Sequence, residues 1–275
     1  MKHVHPKPFA TLVAALCAAT ALAGCGIAGD AASGDQTGPV SPAASQPVTV
    51  DLELSWIWTP PPATSPGMPA ADGADVALTA GDMRLVMLDR TGTLRWEAYR
   101  KGLRSVAPAF SDDLVLAATE DGLSAFDRGS GRPRWEARLG ERTNTPAVVD
   151  GTAVVTTWEG SMAGIDLRDG KIRWRATLGG NSLGPPAGAG KVATATFATQ
   201  AVAGAVAVDA ATGRQRWKVP LPAGGTSAPA VVDAGGAGKL VVMVAADLAA
   251  HALSLDDGSE RWQTELEGAG LRGPR

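Results

Sequence analysis

The string Gly-x-x-Arg-Trp occurs five times, ending at Trp96, Trp135, Trp174, Trp217 and Trp262, with steps of 39, 39, 43 and 45 residues. A second marker, Pro-Ala, begins at Pro69, Pro108, Pro146, Pro186 and Pro229, and precedes its Trp by 27, 27, 28, 31 and 33 residues. Two unrelated markers holding phase through five copies define a structural repeat. Such a repeat is a supersecondary unit that buries its apolar face only against its neighbours. The third copy shows the content of the unit. It reads Pro146–Gly151, Ala153–Thr157, Ala163–Asp166 and Lys171–Leu178, short runs rich in Val, Thr and Trp with Gly-bearing turns between them. That composition predicts four β-strands. Before each Trp stands Asp-x-x-[Thr/Ser/Asp]-Gly or a near variant, in which Asp bonds downstream backbone and Gly takes the positive φ that closes a hairpin. Four strands per unit at a period near 40 predict the blades of an all-β propeller.

One copy, Ala207-Val-Asp209-Ala-Ala-Thr212-Gly213-Arg-Gln-Arg-Trp217, resembles the tryptophan-docking motif of PQQ-like β-propeller repeats, Ala-x-Asp-x-x-Thr-Gly-x-x-x-Trp. The second copy has Ser130 for Thr. The third has Gly164 for Ala and Asp169 for Thr, the fifth has Ser254 for Asp, and the first is one residue shorter between Asp89 and Gly92. The resemblance spans roughly residues 50–275. It implies that Trp96, Trp135, Trp174, Trp217 and Trp262 pack on neighbouring blades, with Gly92, Gly131, Gly170, Gly213 and Gly258 closing the turns. These ten residues are therefore read as structural. The Arg before each Trp faces the other side of its strand, where a solvated edge or a cation–π contact is expected.

The N-terminus carries an address. Lys2 and Lys7 precede an uncharged apolar run, Phe9–Ala23, too short to span a bilayer comfortably and suited to a signal-peptide core. The run ends in Leu22-Ala23-Gly24-Cys25, which resembles a bacterial lipobox and implies lipidation of Cys25 with cleavage before it. The expected organisation is a lipoprotein signal peptide over 1–24, a flexible Gly/Pro/Ser/Ala tether over 25–48, and the propeller domain over 49–275. Removal of Lys2 and Lys7 makes the net charge more negative than the −3 of the full chain. The only cysteines are Cys17 and Cys25, so the domain holds no disulfide.

Little of the sequence points to catalysis. The acidic balance of an exported chain argues against nucleic acid as a partner. Histidines stand at 3, 5 and 251, too few for most Cys/His zinc sites. Quinoprotein dehydrogenases, which the repeat name suggests, are larger, calcium-dependent and often carry a vicinal Cys pair. No such pair or metal-ligand trio is present, so no cofactor is expected. Gly184-Pro-Pro-Ala-Gly-Ala-Gly190-Lys191 imitates a phosphate loop but falls between the first two strands of its unit, as does Gly235-Gly-Ala-Gly-Lys239. His251 has no nucleophile elbow to serve and reads as structural. Adjacent acids such as Asp112-Asp113 lack the spacing of a calcium loop, and no sign points to a paired-carboxylate hydrolase. Trp158 breaks the repeat pattern, so it is either locally packed or a possible contact for a partner.

The expected function is a non-catalytic, membrane-anchored, extracytoplasmic scaffold that binds a protein or envelope component, with the lipid on Cys25 as its membrane contact. Anchor and repeats together also resemble the lipoprotein subunit of the outer-membrane β-barrel assembly machinery, although 18 Arg against 7 Lys hints at a high-GC source that could lack an outer membrane. The alternatives are a PQQ-dependent dehydrogenase-like fragment and a propeller hydrolase. Trp56 lies 40 residues before Trp96, and 51–58 reads as a lone fourth strand whose three companions are missing. Five complete repeats with that surplus strand predict an open or truncated ring, prone to self-association through its blade edges.

Overall fold

The computed structural model describes residues 57–59, 66–182, 184–222 and 226–266. Cys25, the tether, Trp56 and residues 51–56 of the strand predicted over 51–58 lie outside these residues; its Ile57 and Trp58 are described and are not in a strand. The domain is built of five four-stranded antiparallel sheets, each a simple meander. Blade 1 comprises β1 (Pro66–Asp72), β2 (Asp75–Ala80), β3 (Arg84–Asp89) and β4 (Leu94–Tyr99). Blade 2 comprises β5 (Ala109–Phe110), β6 (Leu114–Thr119), β7 (Gly122–Asp127) and β8 (Pro133–Arg138). Blade 3 comprises β9 (Ala147–Val149), β10 (Thr152–Thr156), β11 (Ser161–Asp166) and β12 (Ile172–Thr177). Blade 4 comprises β13 (Ala187–Ala189), β14 (Val192–Ala198), β15 (Ala203–Asp209) and β16 (Gln215–Leu221), and blade 5 β17 (Ala230–Asp233), β18 (Lys239–Val244), β19 (Ala249–Ser254) and β20 (Glu260–Glu265). The protein is an all-β propeller of PQQ-like repeats, as the sequence predicts.

Burial explains the strand sequences. The middle strands of a blade lie between two neighbouring blades, so β6 and β10 are buried along their whole length and read as continuous runs of Leu, Val, Ala and Thr. The outer strands meet solvent and alternate, as in β12, where Trp174 is buried between exposed Arg173 and Arg175. Pro108, Pro146, Pro186 and Pro229 stand just before inner strands, where a missing N–H costs no ladder bond.

The blades are joined by one device repeated four times. Each Trp donates its indole N–H to the carbonyl just after the turn Asp, or its counterpart, of the next blade. The bonds are Trp96 to Arg128 (2.9 Å), Trp135 to Leu167 (2.8 Å), Trp174 to Ala210 (2.8 Å) and Trp217 to Leu255 (2.9 Å). The indole rests on the turn glycine, so a Cβ there would lie 2.6 Å from Trp96 at Gly131, 2.7 Å from Trp135 at Gly170, 2.5 Å from Trp174 at Gly213 and 2.8 Å from Trp217 at Gly258. The same glycines have φ between 71° and 74°. Glycine is thus required twice over, for conformation and for space. In every blade the pairing of third and fourth strands shifts register beside the residue opposite Trp, a bulge that re-aims the side chains following it.

Apolar clusters lie between blades rather than within them. Met87 and Trp96 of blade 1 pack with Val115 and Phe126 of blade 2. Leu116 and Trp135 pack with Val155 and Ile165, Met162 and Trp174 with Val206 and Val208, and Trp217 with Val241 and Leu253. A fifth cluster, Leu78, Val86 and Leu88, faces away from blade 2 and is covered by Trp58. Among the described residues no apolar cluster joins blade 5 to blade 1. Trp174 and Trp217 are 8% and 6% exposed, whereas Trp262 is 42% exposed. The tightly docked set of the sequence reading thus loses Trp262, because no described blade stands beyond blade 5.

The turns are held by carboxylates. Asp127 accepts from the N–H and hydroxyl of Ser130, and Asp209 from those of Thr212. The shorter first turn uses Asp89 with Thr91. In the fifth, where Ser254 replaces Asp, Asp257 bonds Ser259 instead. The Arg before each Trp is exposed on its outer strand, as expected of a solvated edge, and Arg134, Arg173 and Arg216 also pair with their own turn carboxylates, at 3.0, 2.8 and 3.6 Å. Hydrogen bonds from Ser259, Ser130 and Thr212 hold the carboxyls of Asp257, Asp127 and Asp209 below the ordinary range, that of Asp257 at about 2.

Two predictions follow from these turns. Gly213→Ala adds positive-φ strain and a clash with Trp174, and should cost about 3 kcal/mol or more. Gly151→Ala, at φ 69° with nothing within 4 Å of the new Cβ, should cost about 1 kcal/mol. Thermal melting checks the pair, and equal losses would show that the indole contact contributes nothing. Because the turn carboxyls titrate lower in the folded than in the unfolded chain, their stabilisation is complete above about pH 4 and is lost as pH falls through the lowered values. Acid unfolding should therefore fall between about pH 4 and 2, and Asp127→Asn should flatten the pH dependence of stability in that window.

Candidate functional site

Trp158 sits in the β10–β11 turn and is 37% exposed. The guanidinium groups of Arg104 and Arg142 lie over its ring, 5.3 and 4.8 Å from the centroid. Its indole N–H donates to Asn144 Oδ1 at 2.9 Å, and Asn144 is buried and donates onward to the carbonyls of Ser182 and Gly184. Arg104 also donates to the Thr143 carbonyl, and Arg142 pairs with Glu159 at 3.7 Å. Two cations and a hydrogen-bond acceptor of the domain thus engage the indole, so local packing accounts for the position of this residue while leaving it partly exposed.

Two polar clusters have no signal in the sequence. Arg128 reaches back from blade 2 to Asp75 and Asp72 of blade 1 at 2.8 and 2.7 Å, lies 4.8 Å over the Phe110 ring, and gives its carbonyl to Trp96. Burial pushes the Asp75 carboxyl up, but Arg128 and Arg95 outweigh it and hold it below the usual range. His251 is 5% exposed in β19, with Nδ1 2.9 Å from Glu260 and Nε2 3.1 Å from Asp247. Burial acts to raise the Asp247 carboxyl, yet bonds from the Ala249 N–H and His251 set it lower. Arg128 is held by two carboxylates of blade 1 and His251 by one carboxylate at each ring nitrogen, which is the geometry of structural pins.

A cleft of about 560 Å³ opens beside the inner strands of blades 1 to 3, lined among others by Ala71, Asp72, Phe110, Ser111, Asp112 and Val148. Its acid Asp72 is tied to Arg128. Among the described residues no group of three or more His, Cys, Asp or Glu converges as a metal set, and none forms a helix long and apolar enough to cross a membrane. Gly235–Gly238 occupies the turn between β17 and β18, the position expected for it, whereas Gly184–Lys191 contains β13 itself and only its Gly190 and Lys191 form the β13–β14 turn.

The remaining feature is the side of blade 5 that carries Trp262. Val232 on the same side is 42% exposed, and Val242 and Val244 are half-buried. The counterparts of Val242 and Trp262 in blade 3 are Val154 at 0% and Trp174 at 8%.

Comparison with known proteins agrees with this architecture. A family model described as outer membrane protein assembly factor BamB matches residues 28–181 and again 120–274. The structure resembles BamB from Moraxella catarrhalis at 22% identity and a TM-score of 0.55, over 73% of this chain and 61% of that one. It resembles the quinohemoprotein alcohol dehydrogenase ADHIIG from Pseudomonas putida HK5 at 17% identity and a TM-score of 0.57, over 73% and 42%. A computationally designed protein, Ika8, aligns at 18% identity and a TM-score of 0.56, over 73% and 61%. At these identities the likeness is one of fold, and the chain spans about three fifths of the solved BamB. No curated protein matches. Since the family model extends across all five blades, the chain belongs to the family of the outer membrane protein assembly factor BamB.

Proposed function

We propose that this chain is a lipid-anchored, extracytoplasmic propeller that acts without catalysis as a scaffold, binding a protein or another component of the bacterial envelope. The observation that carries this reading is the match of all five blades to the BamB family model. That family is described as an assembly factor for outer membrane proteins, which favours a protein partner over a small molecule. The run ending in Leu22-Ala23-Gly24-Cys25 supplies the anchor in this reading. Arg128 and His251, each engaged by two carboxylates, fit a rigid support better than a reactive centre. The dehydrogenase-like reading rests on likeness of fold to quinohemoprotein enzymes and on no residue of this chain.

Two measurements test the proposal. Cys25→Ala should leave the precursor uncleaved and unlipidated, read by mass and by partition into detergent. A mature Cys25→Ala protein that still enters the detergent phase would refute the anchor. Titration of the purified domain with pyrroloquinoline quinone and calcium should give no saturable change in absorbance or melting temperature. A saturable shift would restore the dehydrogenase reading.

A further inference from the structure

Every blade is a meander, so its turns alternate between two ends of the domain. Those joining first to second and third to fourth strands lie at one end, and those joining second to third strands at the other. The two ends differ in character. Among the described residues, the turns of the first end carry no exposed large apolar side chain and are rich in Asp and Gly. At the second end four of the five turns expose one: Met83 in blade 1, Trp158 in blade 3, Val202 in blade 4 and Leu248 in blade 5, the last two 52% and 62% exposed. Blade 2 turns on acids instead, Glu120 and Asp121.

Two of these side chains are held at a conformational cost. Met83 and Leu248 have φ of 67° and 60°. Among the described residues the one other non-glycine with positive φ is Asp150, a residue type that tolerates it. Both turns make the backbone bonds of the equivalent turn in blade 3. Each N–H donates three residues back, at 3.0 and 3.1 Å, and each carbonyl accepts from the residue just after the fourth strand, Arg100 or Leu266. In blade 3 the residue so placed is Gly160, at φ 92°. A large exposed side chain where glycine fits without strain returns little to the fold, and strain kept in this way points to use outside it. Each strained tip is enlarged by an exposed neighbour. The Tyr99 hydroxyl lies 3.7 Å from the Met83 sulfur, and Leu266 stands beside Leu248.

We propose that this end of the propeller rests on a lipid bilayer, with Met83, Trp158, Val202 and Leu248 entering the headgroup region. The tips are single side chains on separate turns with polar residues between them. A protein interface gathers its apolar residues into one desolvated centre, whereas a bilayer accepts separate points along a plane. An indole and a phenol beside arginines suit the headgroup layer, where amphipathic rings and long cations keep their polar ends wet. Glu120 and Glu159 stand among Lys101, Arg138 and Arg142, all exposed, so the contact is insertion of side chains rather than adhesion of opposite charge. Thirty-one residues separate Cys25 from Ile57. A lipid on Cys25 would keep the domain within their reach of the membrane, so contacts too weak to bind alone suffice. The inference rests on that anchor and goes beyond it by naming the face that meets the lipid.

Photo-crosslinking in the cells that make the protein tests it, using the full chain with p-benzoylphenylalanine at Val202 or Leu248 and, as a control, at exposed Arg168 in the β11–β12 turn of the other end. Mass spectrometry reads both the adduct and the lipid on Cys25. Phospholipid adducts from 202 and 248 should exceed those from 168 at least about tenfold. The double variant Met83→Gly, Leu248→Gly should lower the adduct from 202 about tenfold, since it removes two inserted side chains. Its melting temperature should be unchanged or up to about 3 °C higher, because strain is relieved and little burial is lost. The proposal is overturned by equal yields from the two ends, by adducts with protein instead of lipid, by no adduct, by a yield that the double variant leaves unchanged, or by a variant that melts well below the parent. The two readings fail differently. A chain without lipid on Cys25 removes the anchor and this proposal with it, whereas a lipidated chain with equal yields from both ends removes this proposal alone.

Discussion

The contact of an indole with a glycine turn is the interaction on which this structure depends. A single blade cannot be stable alone, because its middle strands are apolar on both sides and its own turns cover neither. The Trp of one blade closes this gap by placing a large ring over the neighbour's turn and satisfying its N–H with that turn's carbonyl. A fully buried ring of this size removes about 150–250 Å² from water. The hydrogen bond adds direction, fixing where the next blade sits as well as that it sits there.

Several other bonds follow the same logic of reaching one blade forward. Hydroxyls of Thr79, Thr156 and Thr196 donate to the carbonyls of Val106, Gly184 and Ser227, each in the loop entering the next blade. In the opposite direction, Lys218 donates to the Leu178 carbonyl and Arg175 to that of Leu139. Blades 2 and 5 have Ala118 and Val244 where those threonines stand, so the device is used at three of the five blades.

The fold was legible in the sequence because its determinants are local and repeated. Gly213 and Asp209 show their turn within four residues, and the Trp that follows comes at a fixed offset. Phase between copies then supplied the blade count without any knowledge of contacts. The polar clusters were not legible. Arg128 meets Asp75 and Asp72 across 53 and 56 residues, a distance set by blade packing rather than by spacing. The arginines before each Trp looked like edge residues because strand alternation places them away from the core. Only the bulge beside Trp returns them to their own turn carboxylates. Trp158 breaks the repeat visibly in the sequence, but nothing local showed that Arg104 and Arg142 would lie over its ring.

Stability in such an arrangement is nearly one-dimensional, and this shapes where function can reside. Blades 2, 3 and 4 are each fixed by two interfaces, while blade 5 is fixed by one among the described residues. Opening of a terminal blade disrupts one interface instead of two, so it is the first unit expected to fluctuate. The side of blade 5 that carries Trp262 is apolar and, among the described residues, without a neighbouring blade. It also incurs the hazard of any uncovered sheet, which is indiscriminate pairing. The glycine requirement limits that hazard. An arbitrary apolar surface can cover Val232 and Val244, but only a turn without a Cβ lets an indole lie flat against backbone and find a carbonyl.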